Sequence, residues 1–198
     1  GGVLGIATDM ENDGREGLAI SVEALEKIWP QMPPVISDVI FDYHKLSRLL
    51  SEGKWFEANE ETARCMLKVA RRDKEGTLRV EDIEKFPCSD LRTIDELWVK
   101  YSDGKFGFSV QKKIYQSLGG TKQYDEKVYR SFEDKVGWRQ GGEWLYYDEL
   151  TFRLDTHFVG HLPKLPNRTY SWRPSMYTII RVMYYNRMEP VSYTHLTL

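Results

Sequence analysis

Apolar residues recur along the middle of the chain at helical spacing. In FDYHKLSRLLSEGKW, Tyr43, Leu46, Leu49 and Leu50 share one face, Asp42 is placed as the N-cap and Gly53 follows the end. WFEANEETARCMLKVARR aligns Trp55, Ala58, Thr62, Met66 and Val69, with glutamates early and arginines late as the helix dipole favours. The two runs predict a helical hairpin. A short helix in GTLRVEDIEKFP stops at Pro87, after which Ser89 is the expected cap of a helix carrying Leu91, Ile94, Trp98 and Tyr101 on one side. Ser102, Asp103 and Gly104 break it. Val110, Ile114 and Leu118 then predict a helix ended by Gly119 and Gly120, and Tyr124, Val128, Phe132 and Val136, four apart, predict another. At least five helices and no convincing alternating run imply an all-α fold.

The flanks differ in texture. Residues 1–40 form an N-terminal segment in which SVEALEKIW, capped by Ser21 and ended by Pro30, is a short helix followed by the linker MPPV. Residues 41–165 form the main domain, and 166–198 a basic, aromatic extension with a last helix expected from Pro174 to Met188. GWRQGGEWLYYDELTF packs two tryptophans, two tyrosines and adjacent glycines into a stretch too broken for a long helix, and reads as an aromatic loop.

With 28 Lys+Arg against 30 Asp+Glu, nothing favours bulk attraction to nucleic acid or to a membrane surface. Cys65 and Cys88 lack metal-binding spacing and read as small core residues in a reducing compartment. No apolar run approaches the roughly 18 residues of a membrane helix, and the opening residues do not follow a signal-peptide layout, so the expectation is a soluble protein whose targeting segment is missing. GxSxG, P-loop, Rossmann and HExxH patterns are absent. His44, His157, His161 and His195 are scattered; His157 and His161 have the spacing of a helical metal pair, but Gly160 and Pro163 oppose the helix it needs. The acidic pairs Glu60-Glu61 and Glu81-Asp82 suit first turns, and the sequon at Asn167 matters only in a secretory setting.

Aromatic residues gather at element ends: Phe86, Phe106 and Phe108 around helix starts, Trp138 and Trp144 in the glycine-rich loop. In DGKFGFSVQKKIY, Phe106 and Phe108 flank Gly107 and could each close a core or line a groove.

YHKLSRLLSEGKWFEANEETARCML, EDIEKFPCSDLRTIDELWVKYSDGKFGFSVQKKIY, VGWRQGGEWLYYDELTF and GHLP, taken in order, resemble the GUN-four (genomes uncoupled four) family from about Asp42 to Pro163. The resemblance implies an all-α domain shaped like a cupped hand, with a ligand groove formed by inter-helix loops. It implies binding of protoporphyrin IX and Mg-protoporphyrin IX, and of bilins in some lineages, with no cofactor required. The implied role is non-enzymatic: stimulation of magnesium chelatase, in chlorophyll biosynthesis, through its large porphyrin-binding subunit, together with a part in plastid signalling. Family members occur in cyanobacteria and plastids; a monomer, in the stroma and at the periphery of plastid membranes, is expected. Residues 1–40 are too short for the N-terminal bundle of cyanobacterial members, and the extension favours a plastid protein without its transit peptide.

A porphyrin is an apolar disc with two carboxylates on one edge, so its groove needs aromatic walls and cations at the rim. Phe106, Phe108, Trp138 and Trp144 are the candidate walls, and Arg139, Arg153, Arg168 and Arg173 the candidate cations, because a guanidinium can fork onto a carboxylate or stack on the ring. Of the two phenylalanines, one is expected to face the core and the other the ligand, with Gly107 keeping the backbone slim beside the groove; which faces which stays open. Two other readings stand beside this one: a helical protein-interaction module without a ligand of its own, and an enzyme with only the His157/His161 pair in its favour.

Overall fold

The structure, a computed structural model, describes residues 41–166 together with Ile179 and Ile180. The expected SVEALEKIW helix, the MPPV linker, Arg168 and Arg173 lie outside the described residues; of the helix expected from Pro174 to Met188, Ile179 and Ile180 are described, and both are helical and buried. The described residues are mostly helical: α1 (His44–Ser51), α2 (Trp55–Val69), α3 (Val80–Glu84), α4 (Cys88–Tyr101), α5 (Phe108–Ser117) and α6 (Glu126–Lys135). A two-residue antiparallel pair, β1 (Arg139–Gln140) and β2 (Glu143–Trp144), and the 3-10 turn Tyr147–Glu149 follow. None of the described helices is long and apolar enough to cross a membrane.

α1 and α2 form the expected hairpin, which packs on α4; α4 packs on α5 and α5 on α6. Asp42 sits just outside α1 and accepts from the His44 N–H at 2.8 Å, so it caps from one residue beyond the expected position. At α4 the cap is Pro87 rather than Ser89: the proline's fixed φ of −60° suits the start of a helix, which therefore begins at Cys88. Ser89 turns instead to Asp90, at 3.2 Å. That early start leaves Cys88 exposed, against the expectation of two core thiols; Cys65, on α2, is buried.

α5 turns a different face inward from the one its apolar spacing predicts. α5 buries Phe108, Gln111, Lys112 and Tyr115, while Val110, Ile114 and Leu118 are only half-buried. Gln111 displaces the apolar stripe because its Nε2 donates to the carbonyls of Gly160 (3.0 Å) and Pro163 (2.9 Å), pinning a later segment onto the helix. At α6 the expected Phe132 and Val136 are fully buried and Val128 packs against the core, joined by Tyr129 and Glu133; Asp125 caps the helix through the Val128 N–H, which leaves Tyr124 outside it and exposed. The aromatic loop after α6 is more ordered than expected. Gly141 and Gly142, at φ +60° and +88°, make a two-residue hairpin turn that only residues free of a Cβ take readily, and pair Arg139 with Trp144.

Candidate functional site

Phe106 and Phe108 are both fully buried, which corrects the expected division between core and ligand. Phe106 meets Trp55 and Trp98 edge-on at centroid distances of 5.6 and 6.4 Å, and Trp98 donates from its indole to Thr62 Oγ1 at 2.9 Å. These contacts tie the α4–α5 link to the α1–α2 hairpin. Gly107 is slim for a different reason than expected. A Cβ there would lie 2.7 Å from Val99 Cγ2 and 2.9 Å from Asp95 Oδ1, and its φ is +132°, so the glycine permits α4 and α5 to touch. Asp95, buried on α4, accepts from the Ser109 N–H at 2.9 Å and so caps α5 from a neighbouring helix; burial holds its pKa above the ordinary carboxylate range.

The aromatic cavity lies elsewhere, between α6, the hairpin and the segment after it, with a volume of about 290 Å³. Trp138 and Lys164 line one part of it, and the Lys164 ammonium stands 4.4 Å from the centre of the Trp138 ring. Tyr129, Arg130 and Glu133 contribute from α6, and Trp144 from β2. Tyr124, Tyr146 and Tyr147 add three phenol rings, Tyr146 being 74% exposed.

Trp138 and Trp144, the two tryptophans expected to form walls, are thus brought together. Trp138 is buried and donates to the His161 carbonyl at 2.8 Å. Trp144 is 38% exposed and donates to Glu133 Oε2 at 2.9 Å. Arg139 packs over the Trp144 ring at 5.0 Å, with Arg130 at 5.8 Å from it. The Arg139 side chain is only 9% exposed; it binds the Gly142 carbonyl at 2.6 Å and Asp134 at 3.3 Å, and it is absent from the cavity lining. It therefore supports the wall instead of standing at the rim, because the tight turn folds β1 back under Trp144. Arg153 pairs with Asp155 at 2.6 Å, is exposed, and also does not line the cavity.

Lys164 and Arg130, which do line it, were not among the expected residues. Arg130 occupies an ordinary solvent position of the α6 pattern, ion-paired with Glu126 at 2.5 Å. Lys164 follows GHLP, a motif that signals only irregular chain. The hidden signal is Asn59, a polar residue within the buried face of α2 and fully enclosed. Its Nδ2 donates to the Lys164 carbonyl and to Tyr147 Oη, both at 2.6 Å, and its Oδ1 accepts from the Lys164 N–H at 2.9 Å.

His157 and His161 lie in irregular chain, so no helical metal pair forms. His161 is buried, with Nδ1 bonded to the Val136 carbonyl at 2.7 Å and Nε2 accepting from the Thr151 N–H at 3.1 Å. Those two partners fix one neutral tautomer, and burial pushes its pKa below the usual histidine value.

An all-α body in which α6 and the loops after it form a cavity of indole and phenol rings, edged by cations, is the class defined by this geometry. The chain belongs to the GUN4-like family, whose model matches residues 36–178. It is 34% identical over 145 residues to an uncharacterized protein, ycf53, of Porphyra purpurea, covering 72% of this chain and 58% of that one. It is 33% identical over 135 residues to a chloroplastic tetrapyrrole-binding protein of Arabidopsis thaliana, covering 63% of this chain and 48% of that one. The chain thus spans about half the length of the curated relatives it matches. Among solved structures, GUN4 from Chlamydomonas reinhardtii superposes with a TM-score of 0.58 at 27% identity, over 76% of this chain and 95% of that one. Ligand-free GUN4 of Arabidopsis thaliana gives 0.56 at 26% identity, over 70% and 90%.

Proposed function

We propose that this chain is a non-catalytic tetrapyrrole-binding protein that takes protoporphyrin IX or Mg-protoporphyrin IX in the cavity beside Trp138 and Trp144. The observation that carries the reading is the cavity itself, in which rings from α6, the hairpin and the following segment converge with cations near them. The name of the Arabidopsis relative points to the same ligand class. The cavity's about 290 Å³ falls just below the roughly 300–1,000 Å³ usual for small-molecule sites, so the macrocycle enters by one edge and the rest lies against Tyr124, Trp144 and Tyr146 at the mouth. Burying about 300 Å² of ring at roughly 25 cal/mol per Å² supplies ~7 kcal/mol before association costs, in keeping with micromolar binding.

Arg168 and Arg173 remain candidate rim cations on sequence grounds. Arg139 acts through Trp144, and Phe106 and Phe108 act through the core. The bound tetrapyrrole is then presented to the large porphyrin-binding subunit of magnesium chelatase, stimulating chelation in a plastid or a cyanobacterial cell. Titration with deuteroporphyrin, followed by quenching of tryptophan fluorescence, tests the binding step; no saturable quenching up to tens of micromolar ligand refutes it. Magnesium chelation assayed with and without the chain tests the regulatory step, and an unchanged rate refutes that.

A further inference from the structure

The large apolar side chains that stand exposed among the described residues are not scattered. Trp144, Tyr146, Leu154 and Val159 belong to one segment, 144–159, and Phe56, 46% exposed on α2, sets its ring edge-on against Phe152 of that segment at 5.0 Å. Tyr147 closes the group, 5.4 Å from Phe152 and 6.1 Å from Phe56. Single exposed apolar residues are ordinary, but a group of them on one stretch of chain marks a contact surface. Phe56, Phe152, Leu154 and Val159 do not line the cavity, whereas Tyr147 does, so the group borders the cavity from outside.

The segment is held in place by polar contacts on its other side. Lys105 Nζ donates to the carbonyls of Leu154, at 2.8 Å, and Thr156; the Gly160 N–H donates to the Lys105 carbonyl at 2.8 Å, and Gln111 donates to the Gly160 carbonyl at 3.0 Å. The exposed side chains therefore sit on a fixed backbone, which lowers the entropy lost on docking. The charge of the surface is one-sided. Residues 143–160 carry Glu143, Asp148, Glu149 and Asp155 against Arg153, and Arg153 is paired with Asp155. Glu57 follows Phe56 in the first turn of α2. The cations beside them are engaged, Lys105 by the two carbonyls and Lys54 by Glu52 at 2.7 Å. The result is an apolar surface with an acidic border.

That chemistry selects the occupant. Like charge disfavours a second copy of the same surface, an anionic lipid surface, and residues 1–40, which carry seven Asp+Glu against two Lys+Arg. In the basic extension, Ile179 and Ile180 are buried in the core. We propose that Phe56 and the segment 144–159 form a docking surface for a Lys/Arg-rich segment of another protein, which seats an apolar side chain against Phe56 and Phe152. The inference goes beyond the tetrapyrrole reading and stands whichever ligand the cavity takes.

Fluorescence anisotropy with the full chain and labelled peptides of equal length tests it, the peptides alternating Arg with Leu, Arg with Ser, and Glu with Leu. The Arg/Leu peptide binds about tenfold more tightly than either of the others, and its affinity falls as salt rises. Phe56→Ser weakens it about tenfold and Glu57→Lys about threefold, while both variants keep deuteroporphyrin affinity within about twofold of the parent. Equal affinity for the three peptides, no binding of the Arg/Leu peptide, or unchanged affinity in Phe56→Ser overturns the proposal. If Phe56→Ser fails to fold by circular dichroism, Leu154→Ser and Glu57→Lys, both at exposed positions, decide in its place, and unchanged affinity in both overturns it. With p-benzoylphenylalanine in place of Phe56, irradiation joins the chain to the Arg/Leu peptide. A crosslink that instead joins two copies, or joins position 56 to residues 1–40 or 166–198 of the same chain, shows the surface already filled and overturns the proposal.

Discussion

Replacing Trp144 and Phe106 in parallel separates the cavity from the core. Trp144 is 38% exposed, with Arg139 over one part of its ring and Glu133 holding its indole nitrogen. Roughly 80 Å² of indole face offered to a ligand is worth about 2 kcal/mol at 25 cal/mol per Å², so Trp144→Ala raises the porphyrin Kd about 30-fold. Its stability cost is about 1 kcal/mol, from the lost hydrogen bond and the lost cation–ring contact. Phe106 is the converse case, fully enclosed by Trp55 and Trp98. Phe106→Leu keeps most of the volume but forfeits two edge-on ring contacts, costing about 1.5 kcal/mol of stability while leaving the Kd within twofold. Porphyrin absorbance reports binding without depending on tryptophan number, and urea titration reports stability. A Kd change below threefold for Trp144→Ala, or a comparable change for Phe106→Leu, refutes the assignment of cavity and core.

Gly107→Ala forces a Cβ within 2.7 Å of Val99 and 2.9 Å of Asp95 at a φ of +132°, and lowers the unfolding free energy by about 3 kcal/mol; a urea midpoint within error of the parent contradicts that close approach. His161 has a depressed pKa in the folded chain, so the unfolded chain binds the extra proton: the stability contributed by the neutral ring is complete above about pH 6.5 and is lost as pH falls below it. His161→Gln, which can donate to Val136 and accept from Thr151, flattens that part of the stability–pH curve, and an unchanged slope rejects the linkage. Cys65 is buried with its pKa pushed up to about 12, whereas Cys88 is exposed, so a disulfide reagent at neutral pH modifies one thiol in the native chain and two in denaturant.

The helices were legible because their apolar spacing is regular, and the α1–α2 hairpin stands where Leu46, Leu50, Trp55 and Ala58 placed it. What the pattern concealed lies with polar residues acting over long range. Gln111 turns α5 by binding carbonyls that an apolar count ignores, Glu133 joins the buried face of α6 by accepting from Trp144, and Asp95 caps a helix other than its own. Resemblance supplied the family, and the aromatic loop had singled out Trp138 and Trp144, but neither could distinguish a phenylalanine between helices from one facing a ligand. That distinction depends on Gly107, whose missing side chain lets α4 and α5 touch where a groove was expected. Lys164 was the hardest to foresee, since its backbone is held by Asn59, 105 positions earlier in the chain.

The Asn59 clamp also sets an order of assembly. Its bonds to residue 164 join positions 105 apart in the chain, and closing a loop of that length costs about 4 kcal/mol of chain entropy. Helical hairpins form first, from contacts a few residues to a few dozen residues apart, and the segment carrying Lys164 docks onto a body that is already packed. On refolding, far-ultraviolet ellipticity therefore recovers before the capacity to bind ligand, and a chain still emerging from synthesis has helices well before it has a cavity.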